Sequence, residues 1–262
     1  MKNFEKIKGV LIDLEGVLYI GNDIIEGAIE SIAEIKSKKI KIRYLTNTTT
    51  VPIKLILEKL RKFKIPASQD EIFSPVIAAN NYLNNKKISR IFLLTNQILK
   101  QDFENFDLND KNPEAIILGD IYKDFNWENL NKAFQLISNN KALIIALHKN
   151  RYCLREGEIS LDLGPFVQAL EFASSVKAIT MGKPEKNFFD LAIQDMKLLN
   201  EEVVMVGDDI ISDVEGAKKN NIYSIQVKTG KYQKVDELNK YLQPDFRIDS
   251  IDNLPNLLIS NH

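Results

Sequence analysis

In Val10-Leu11-Ile12-Asp13-Leu14-Glu15-Gly16, a short apolar run ends abruptly on an acidic residue and a glycine follows soon after, and this pattern is the strongest indicator of the fold class. Such a run is typical of a buried β-strand that leads into a loop. Two more apolar runs end in the same way, one before Thr46-Asn47 and one before Gly207-Asp208-Asp209. Apolar residues at helical spacing follow each of the first two runs. The order strand, helix, strand, helix is typical of a parallel sheet covered by helices.

The middle third of the chain has strand and helix patterns of its own. These patterns restart near Pro75 and continue to Ala173, and a further strand and helix series follows Met181-Gly182-Lys183-Pro184. The chain has 262 residues, which at roughly 150 residues per domain is just under two domains. We therefore predict an α/β fold with a Rossmann-like parallel-sheet core and an inserted α/β domain. The tail after Lys228 carries only weak helical patterns, near Leu238 and Leu257.

Composition excludes several classes of protein. Hydrophobic residues make up 44% of the chain and charged residues 27%, which is ordinary for a globular protein. The net charge of −1 supplies no attraction to a phosphate backbone, so we expect no nucleic-acid partner. The single cysteine, Cys153, excludes an internal disulfide and fits a reducing compartment. Met1 to Gly9 lacks the apolar run of a signal peptide, and no apolar run is long enough to span a bilayer, so we expect a soluble cytoplasmic protein without a membrane partner.

Three of the predicted strands end in polar residues that can carry chemistry, namely Asp13, Thr46 and Asp208. In an open α/β sheet, ligands bind beyond the carboxyl ends of the strands, so we expect these side chains to converge. Lys183 adds an ammonium group. Carboxylates repel a phosphate unless a divalent cation lies between them, and oxygen ligands suit Mg²⁺. The set therefore implies Mg²⁺ and a phosphoryl group together.

With these residues in this order, the sequence resembles the haloacid dehalogenase superfamily. Its four motifs correspond to Asp13-Leu14-Glu15-Gly16-Val17-Leu18, Thr46-Asn47, Gly182-Lys183-Pro184, and Gly207-Asp208-Asp209 through Asp213. The resemblance extends over essentially the whole chain and includes the segment Val227-Lys228-Thr229-Gly230-Lys231-Tyr232. It implies a core of residues 1–77 and 181–262, with residues 78–180 forming the larger α/β cap domain of the phosphatase branch. Each motif alone is weak, whereas four in this order are specific.

The resemblance also implies roles for individual residues. Asp13 would be the nucleophile that attacks phosphorus and forms an aspartyl-phosphate. Thr46 and the amide of Asn47 would hold the phosphoryl oxygens of a small phosphorylated substrate. Lys183 would neutralise charge on the transferring group and on Asp13, which is the electrostatic contribution that phosphoryl transfer needs most.

A Mg²⁺ site is implied by the same resemblance. The carboxylates of Asp13 and Asp208 and the backbone carbonyl of Glu15 would bind the ion. Asp209 and Asp213 would orient water molecules around the ion, or would orient the catalytic lysine.

Glu15 departs from the pattern of the superfamily. Its phosphatases usually carry Asp two residues after the nucleophile, where the side chain protonates the leaving oxygen and then activates water. Glutamate keeps the acid but moves it by one methylene, and general acid-base catalysis contributes about 10² to 10⁴ in rate. Two hypotheses therefore stand: a Mg²⁺-dependent phosphatase, and a catalytically weak phosphate- or phosphoprotein-binding module. A receiver domain that accepts a phosphoryl group also uses Asp, Thr and Lys, but the inserted middle domain argues against it.

Simpler structural interpretations exist for the motif residues. Thr46-Asn47 could be a turn that caps the next helix, and Lys183 could be a solvated lysine at a helix start. Asp209 and Asp213 could be acids favoured by the dipole of the helix that follows them.

The polar run from His148 to Asp162 also has two interpretations. It could face the active site, with Arg151 and Tyr152 contacting the substrate, or it could be a solvated hairpin around Glu156-Gly157. The sequence does not specify the substrate or the oligomeric state. Dimers through the cap are common in the branch that the chain resembles, so a homodimer is a candidate assembly.

Overall fold

The computed structural model describes residue 4, residues 6–155 and residues 158–259, without the side chains of Leu154 and Ile259. The chain divides into two compact units. The core unit comprises Met1–Thr46, Ile53–Phe73 and Lys183–His262. The inserted unit comprises Asn47–Pro52 and Ser74–Gly182, so residues 47–52, 74–77 and 181–182 group with the inserted unit rather than with the predicted core.

The helices and strands follow one another along the chain in three series. The first core segment contains β1 (Gly9–Asp13), β2 (Tyr19–Ile20), β3 (Asp23–Ile24), α1 (Ala28–Ser37), β4 (Lys41–Leu45), α2 (Ile53–Lys62) and β5 (Ile72–Phe73). The inserted unit contains α3 (Pro75–Asn85), β6 (Arg90–Leu94), β7 (Asp107–Leu108), β8 (Ala115–Leu118), α4 (Trp127–Asn140), β9 (Leu143–Ala146), β10 (Tyr152–Arg155), β11 (Glu158–Leu161), α5 (Leu163–Ser174) and β12 (Ile179–Thr180). The second core segment contains α6 (Lys186–Met196), β13 (Val203–Gly207), α7 (Gly216–Lys219), β14 (Tyr223–Val227), β15 (Phe246–Ile248) and α8 (Leu254–Ile259).

A parallel sheet forms the centre of the core unit. Among the described residues it has six strands, in the order β15, β14, β13, β1, β4, β5. β1 lies between β13 and β4, and its residues Val10, Leu11 and Ile12 are completely buried, as expected for a strand covered on both faces. In the register of the sheet, Ile12 pairs with Val206 and Asp13 pairs with Leu45. The carboxyl ends of β1, β4 and β13 therefore lie side by side, at the point where the strand order reverses.

The helix α6 illustrates how the apolar pattern builds the core. Apolar residues at helical spacing after Pro184 predict this helix. All five of them are buried, namely Phe188, Phe189, Ala192, Ile193 and Met196. The ring of Phe188 lies 5.3 Å from that of Phe73 in β5, measured between centroids. The Tyr44 hydroxyl in β4 donates a hydrogen bond to the carbonyl of Pro66 at 3.0 Å, which satisfies a polar atom inside this core.

The inserted unit has a hydrophobic core of its own. Its main sheet is parallel and, within the described ranges, has five strands in the order β12, β9, β8, β6, β7. α4 and α5 pack against this sheet through a buried cluster that includes Ile116, Ile144, Ala133, Ile137, Val167 and Leu170. β10 and β11 pair as an antiparallel hairpin. The run from His148 to Asp162 thus contains a hairpin, while its centre, Glu156-Gly157, lies outside the described residues.

Several local predictions need correction. The tail contains the strand β15, which the sequence analysis missed because Phe246–Ile248 is short and only half-buried. The sequence predicts a helix from Pro165 to Ala173, whereas α5 begins two residues earlier, at Leu163, whose N–H the side chain of Asp162 accepts. No helix in the described part of the chain is long and apolar enough to cross a membrane.

Candidate active site

The carboxyl edge of the core sheet brings three acidic side chains together. Asp13 is the last residue of β1, and Asp208 directly follows β13. Asp213 lies in the short helical segment Ile210–Glu215 that follows. Each of the three offers a carboxylate oxygen, and these oxygens all lie within 4.8 Å of one another. The parallel sheet therefore concentrates negative charge in a small, largely buried space.

Lys183 supplies the positive charge in this cluster. Its Nζ lies 2.8 Å from Oδ1 of Asp13 and 2.6 Å from Oδ1 of Asp213, and the residue is only 4% exposed. Burial opposes a charged ammonium, but the two carboxylates outweigh it and raise the pKa of Lys183. The lysine is therefore neither solvated nor at a helix start, since α6 begins only at Lys186. The interpretation as a surface lysine is wrong.

A bound cation would reduce the cost of burying the charged carboxylates of Asp208 and Asp213. Burial, followed by the charge of Asp13, raises the pKa of Asp208 to about 6. Burial raises the pKa of Asp213 to about 7, although the ammonium of Lys183 opposes the shift. Both shifts have the same physical cause, because a carboxylate loses hydration on burial and repels its neighbours. One ammonium does not compensate three acidic groups.

The donor atoms fit a divalent cation. Among the described residues, Oδ1 of Asp208 is buried and has no hydrogen-bond partner, and such an orphaned acceptor is costly unless an ion or water satisfies it. Asp208 itself is 1% exposed and stands beside Asp13 and Asp213. Carboxylate oxygens are hard ligands that suit Mg²⁺. Asp13 and Asp208, two of the predicted metal ligands, can therefore hold Mg²⁺ at this edge.

The carboxylate of Glu15 contacts the turn after β2 and the helix α2 instead of the acidic cluster. Its Oε1 accepts the N–H of Gly21 at 2.7 Å, in the turn between β2 and β3. Its Oε2 lies 3.8 Å from Nζ of Lys59 in α2, and the side chain is 55% exposed. The ammonium of Lys59 in turn lies 4.0 Å from the centre of the Tyr19 ring. Glu15 is thus bound to the hairpin and to α2, and its carboxylate is not among the three clustered acids.

Asp209 and Asp213 have different environments. Oδ1 of Asp209 accepts the N–H groups of Ile211 and Ser212, so this side chain caps the helical segment. Burial acts against the charged form of Asp209, but the N–H of Ser212 and other partners lower its pKa. Asp213 is completely buried, contacts Lys183, and accepts the Asp209 N–H at 3.1 Å through Oδ2. Asp209 is therefore an acid at the start of the helical segment that follows it, as in the simpler interpretation, whereas Asp213 lies in the charged cluster.

The predicted phosphoryl-binding residues follow β4. Thr46 is buried, and its N–H donates to the carbonyl of Phe73 at 3.2 Å. Asn47 is half-buried and groups with the inserted unit. Neither residue caps α2, which begins at Ile53, so the capping interpretation is wrong for this pair.

Arg151 and Tyr152 lie in the inserted unit. Both side chains are exposed, and they line an open groove of about 600 Å³ together with Leu161, Pro165 and Gln168. The groove contains a guanidinium and a flat aromatic ring, which suit an anionic group and a planar group respectively. Contact of these two residues with a substrate stays a prediction.

A loop that the sequence analysis quoted without a role also reaches the cluster. The N–H of Lys231 donates to Oδ2 of Asp208 at 2.6 Å, and its Nζ lies 3.2 Å from Oδ2 of Asp209. The hydroxyl of Thr229 donates to the carbonyl of Gly16. The signal in the sequence is the glycine at position 230, which in the structure has a φ of +59°, a region that glycine adopts readily.

Comparison with known proteins identifies relatives over the full chain. A family model described as haloacid dehalogenase-like hydrolase matches residues 10–109, and one described as HAD-hydrolase-like matches residues 180–254. Haloacid dehalogenase-like hydrolase domain-containing protein 2 of Mus musculus is 39% identical over 88% of this chain and 88% of its own. Phospholysine phosphohistidine inorganic pyrophosphate phosphatase of Homo sapiens is 32% identical over 99% of this chain and 97% of its own. The crystal structure of 4-nitrophenylphosphatase from Thermotoga maritima has a TM-score of 0.85 and 27% identity, covering 97% of this chain and 98% of its own.

Proposed function

The chain belongs to the haloacid dehalogenase-like hydrolase family, and from this premise we propose that it is a Mg²⁺-dependent phosphatase. It hydrolyses a small phosphorylated substrate through an aspartyl-phosphate on Asp13. The observation that carries the proposal is the buried ammonium of Lys183 between Asp13 and Asp213, next to Asp208. Two relatives are named as phosphatases, which supports the same class of reaction.

Asp13 is oriented for nucleophilic attack by two donors. Oδ1 accepts the N–H of Leu14 at 2.9 Å and contacts Lys183 at 2.8 Å. These contacts hold the carboxylate in one rotamer at the end of β1, so little entropy is lost when it reacts. In the first step an oxygen of Asp13 forms a bond to phosphorus, and the bond between phosphorus and the leaving oxygen breaks. In the second step water attacks phosphorus, inorganic phosphate leaves, and the carboxylate of Asp13 is restored.

Lys183 and the metal ligands provide the electrostatic part of catalysis. The ammonium of Lys183 reduces the repulsion between Asp13 and the anionic phosphoryl group. Asp13 and Asp208 would hold Mg²⁺, with the backbone carbonyl of Glu15 as the third ligand that the family resemblance implies. When bound, Mg²⁺ neutralises the negative charge that builds up on the phosphoryl oxygens. Asp213 holds Lys183 in place at 2.6 Å.

Glu15 is the proposed general acid and base. As an acid it gives its proton to the leaving oxygen, and as a base it takes a proton from the attacking water. To do so, its carboxylate has to leave the N–H of Gly21, which Oε1 accepts in this structure. The side chain is largely exposed, so this rotation meets no packed core.

The inserted unit is proposed to act as a cap domain with boundaries near residues 78–180. Arg151 and Tyr152 would contact the leaving group of the substrate, and Thr46 with the amide of Asn47 would hold its phosphoryl oxygens. A homodimer through this unit is part of the proposal, supported by the exposed apolar residues Ile159 and Leu161 on the hairpin. Light scattering after size exclusion measures this assembly directly. A cytoplasmic location stays a prediction from the sequence.

The test of the proposed reaction is phosphate release from p-nitrophenyl phosphate. Wild-type protein should turn the substrate over with Mg²⁺ and stop when a chelator removes the metal. Asp13→Asn should abolish turnover, because an amide cannot form the acyl-phosphate. Asp190→Asn is the matched control, since Asp190 is an exposed carboxylate paired with Lys186 on α6. Turnover that survives in Asp13→Asn would remove the mechanism.

The alternative is a catalytically weak phosphate-binding module, and one observation favours it. The carboxylate of Glu15 is bound to Gly21 and close to Lys59, rather than placed among the clustered acids. A binding module would bind inorganic phosphate with Mg²⁺ and release no product from any phosphate ester. Calorimetric titration with phosphate, run beside the turnover assay, separates the two functions.

A further inference from the structure

The loop Thr229–Lys231 follows β14 and closes over one oxygen of Asp208. The backbone N–H of Lys231 donates to Oδ2 of Asp208 at 2.6 Å. This hydrogen bond to a charged acceptor is short and therefore among the stronger kinds. The contact depends on the backbone alone, so any residue except proline could supply it at position 231. The neighbouring residues, rather than the side chain at position 231, hold this N–H in place.

Two glycines allow the backbone to approach Asp208 this closely. Gly16, in the loop after β1, has φ +87°, and Gly230 has φ +59°. Both are in the left-handed region that favours glycine. A Cβ at either position would collide with Oδ2 of Asp208. The nucleophile loop and the Thr229–Lys231 loop thus enclose the same oxygen atom from two sides.

Thr229 joins the two loops. Its hydroxyl donates a hydrogen bond to the carbonyl of Gly16, 213 positions earlier in the chain. Because this bond links the loop after β14 to the loop after β1, it holds the N–H of Lys231 over Asp208. The enclosed oxygen, Oδ2, is therefore fixed, whereas the other oxygen, Oδ1, is buried without a hydrogen-bond partner in the described structure.

We propose that Thr229, Gly230 and Lys231 form a clasp that fixes the rotamer of Asp208 so that Oδ1 is presented to the metal. Thr229 is a positioning residue in this arrangement, because it acts through Gly16 and Lys231 and does not touch the metal itself. The inference rests on the proposed function, since it takes the acidic cluster to be the Mg²⁺ site. It adds that metal affinity depends on a loop from a third strand, outside the acidic motif.

The experiment measures metal binding without substrate, by titrating the protein with Mn²⁺ and following free Mn²⁺ by electron paramagnetic resonance. Mg²⁺ is then added as a competitor to obtain its affinity. Thr229→Val removes the hydroxyl at nearly constant volume and should weaken binding about tenfold, since groups that orient metal ligands typically contribute 10- to 100-fold. Thr229→Ser keeps the hydroxyl and should bind within about twofold of wild type. Lys228→Met is the control at the residue just before this loop, because the ammonium of Lys228 is paired with Asp249 and makes no contact with the clasp among the described residues.

A second pair of variants keeps the test valid if Thr229→Val is unstable. Gly230→Ala should weaken metal binding at least as strongly, because its Cβ meets Asp208. Gly21→Ala is the matched control, since Gly21 has a similar φ of +57° and a Cβ there would meet no heavy atom within 4 Å. Both variants carry similar backbone strain, so a difference between them in Mn²⁺ affinity reports the contacts that a Cβ at position 230 makes with Asp208 and with the Cα of Gly16, the two groups that the clasp holds together. Thermal unfolding in chelator shows whether each variant is folded at the assay temperature.

The clasp is overturned if Thr229→Val and Gly230→Ala bind Mn²⁺ as tightly as wild type, or if wild type binds no Mn²⁺. Failure of the clasp is distinguishable from failure of the proposed function. If p-nitrophenyl phosphate turnover still needs Asp13 while the clasp variants bind metal normally, only the clasp is wrong. If the clasp variants lose affinity and turnover does not need Asp13, the site binds metal but the proposed reaction is wrong.

Discussion

Replacing Asp208 with asparagine should stabilise the metal-free protein at neutral pH. Burial and the charge of Asp13 raise the pKa of Asp208 from 3.8 to about 6. The folded state then binds a proton more tightly than the unfolded state, so the stability of the wild type falls as pH rises from about 4 to about 6. At about 1.4 kcal/mol per pKa unit, the free energy of unfolding of the wild type falls by about 3 kcal/mol in all. Asparagine carries no charge at any pH and avoids this loss.

The assay is urea unfolding of wild type and Asp208→Asn in chelator at two pH values. The asparagine oxygen can still accept the Lys231 N–H, so this hydrogen bond is kept at both pH values. Removing the charge of Asp208 also removes one of the causes that raise the pKa of Asp213, which favours the variant further at the higher pH. Between about pH 5 and about pH 8, the stability advantage of the variant over wild type should grow by about 1.4 kcal/mol. Repeating the measurement with Mg²⁺ at about 100 times its dissociation constant should stabilise wild type by about 2.7 kcal/mol and the variant by much less.

Two results would refute this reasoning. If the stability difference between wild type and Asp208→Asn is the same at both pH values, burial does not penalise the charge of Asp208. If Mg²⁺ stabilises both proteins equally, Asp208 is not a metal ligand. A further control is Asp190→Asn, whose carboxylate is exposed and should show neither effect.

Other substitutions test single contacts of the site. Lys183→Met should destabilise the fold by about 3 to 5 kcal/mol, measured by urea unfolding, because it leaves Asp13 and Asp213 buried without their cation. The same variant should lower kcat by about 10² to 10³, and unchanged turnover would contradict the role of the ammonium. Glu15→Asp should accelerate hydrolysis of alkyl phosphates more than of p-nitrophenyl phosphate, whose leaving group needs little protonation; equal acceleration would count against an acid role. Asp209→Ala should lower the free energy of unfolding by about 1 kcal/mol because it removes a helix cap, and Asp209→Ser should restore the lost stability. A loss of Mn²⁺ affinity in Asp209→Ala would instead show that this side chain acts on the metal.

The strands whose ends meet at the site can be predicted from local sequence alone. Local apolar runs predict β1, β4 and β13, and the residues that follow them are visible in the sequence. A parallel sheet places the carboxyl ends of its strands at one edge, so the strand ends that carry Asp13, Thr46 and Asp208 lie side by side once the strands pair in parallel. The buried stripe of α6 is equally local, since it depends only on helical spacing.

Tertiary structure decided which partner each charged side chain contacts. Lys183 and Asp213 are 30 positions apart, and only the packed fold turns a lysine that resembles a surface residue into a buried ion pair. Glu15 is two residues from Asp13, yet its carboxylate contacts Gly21 and Lys59, because a long side chain on a loop takes the direction that its neighbours favour. The clasp at Thr229 links loops that are far apart in the chain. Spacing along a chain specifies backbone elements, whereas side-chain direction and the balance of buried charge depend on contacts that exist only after folding.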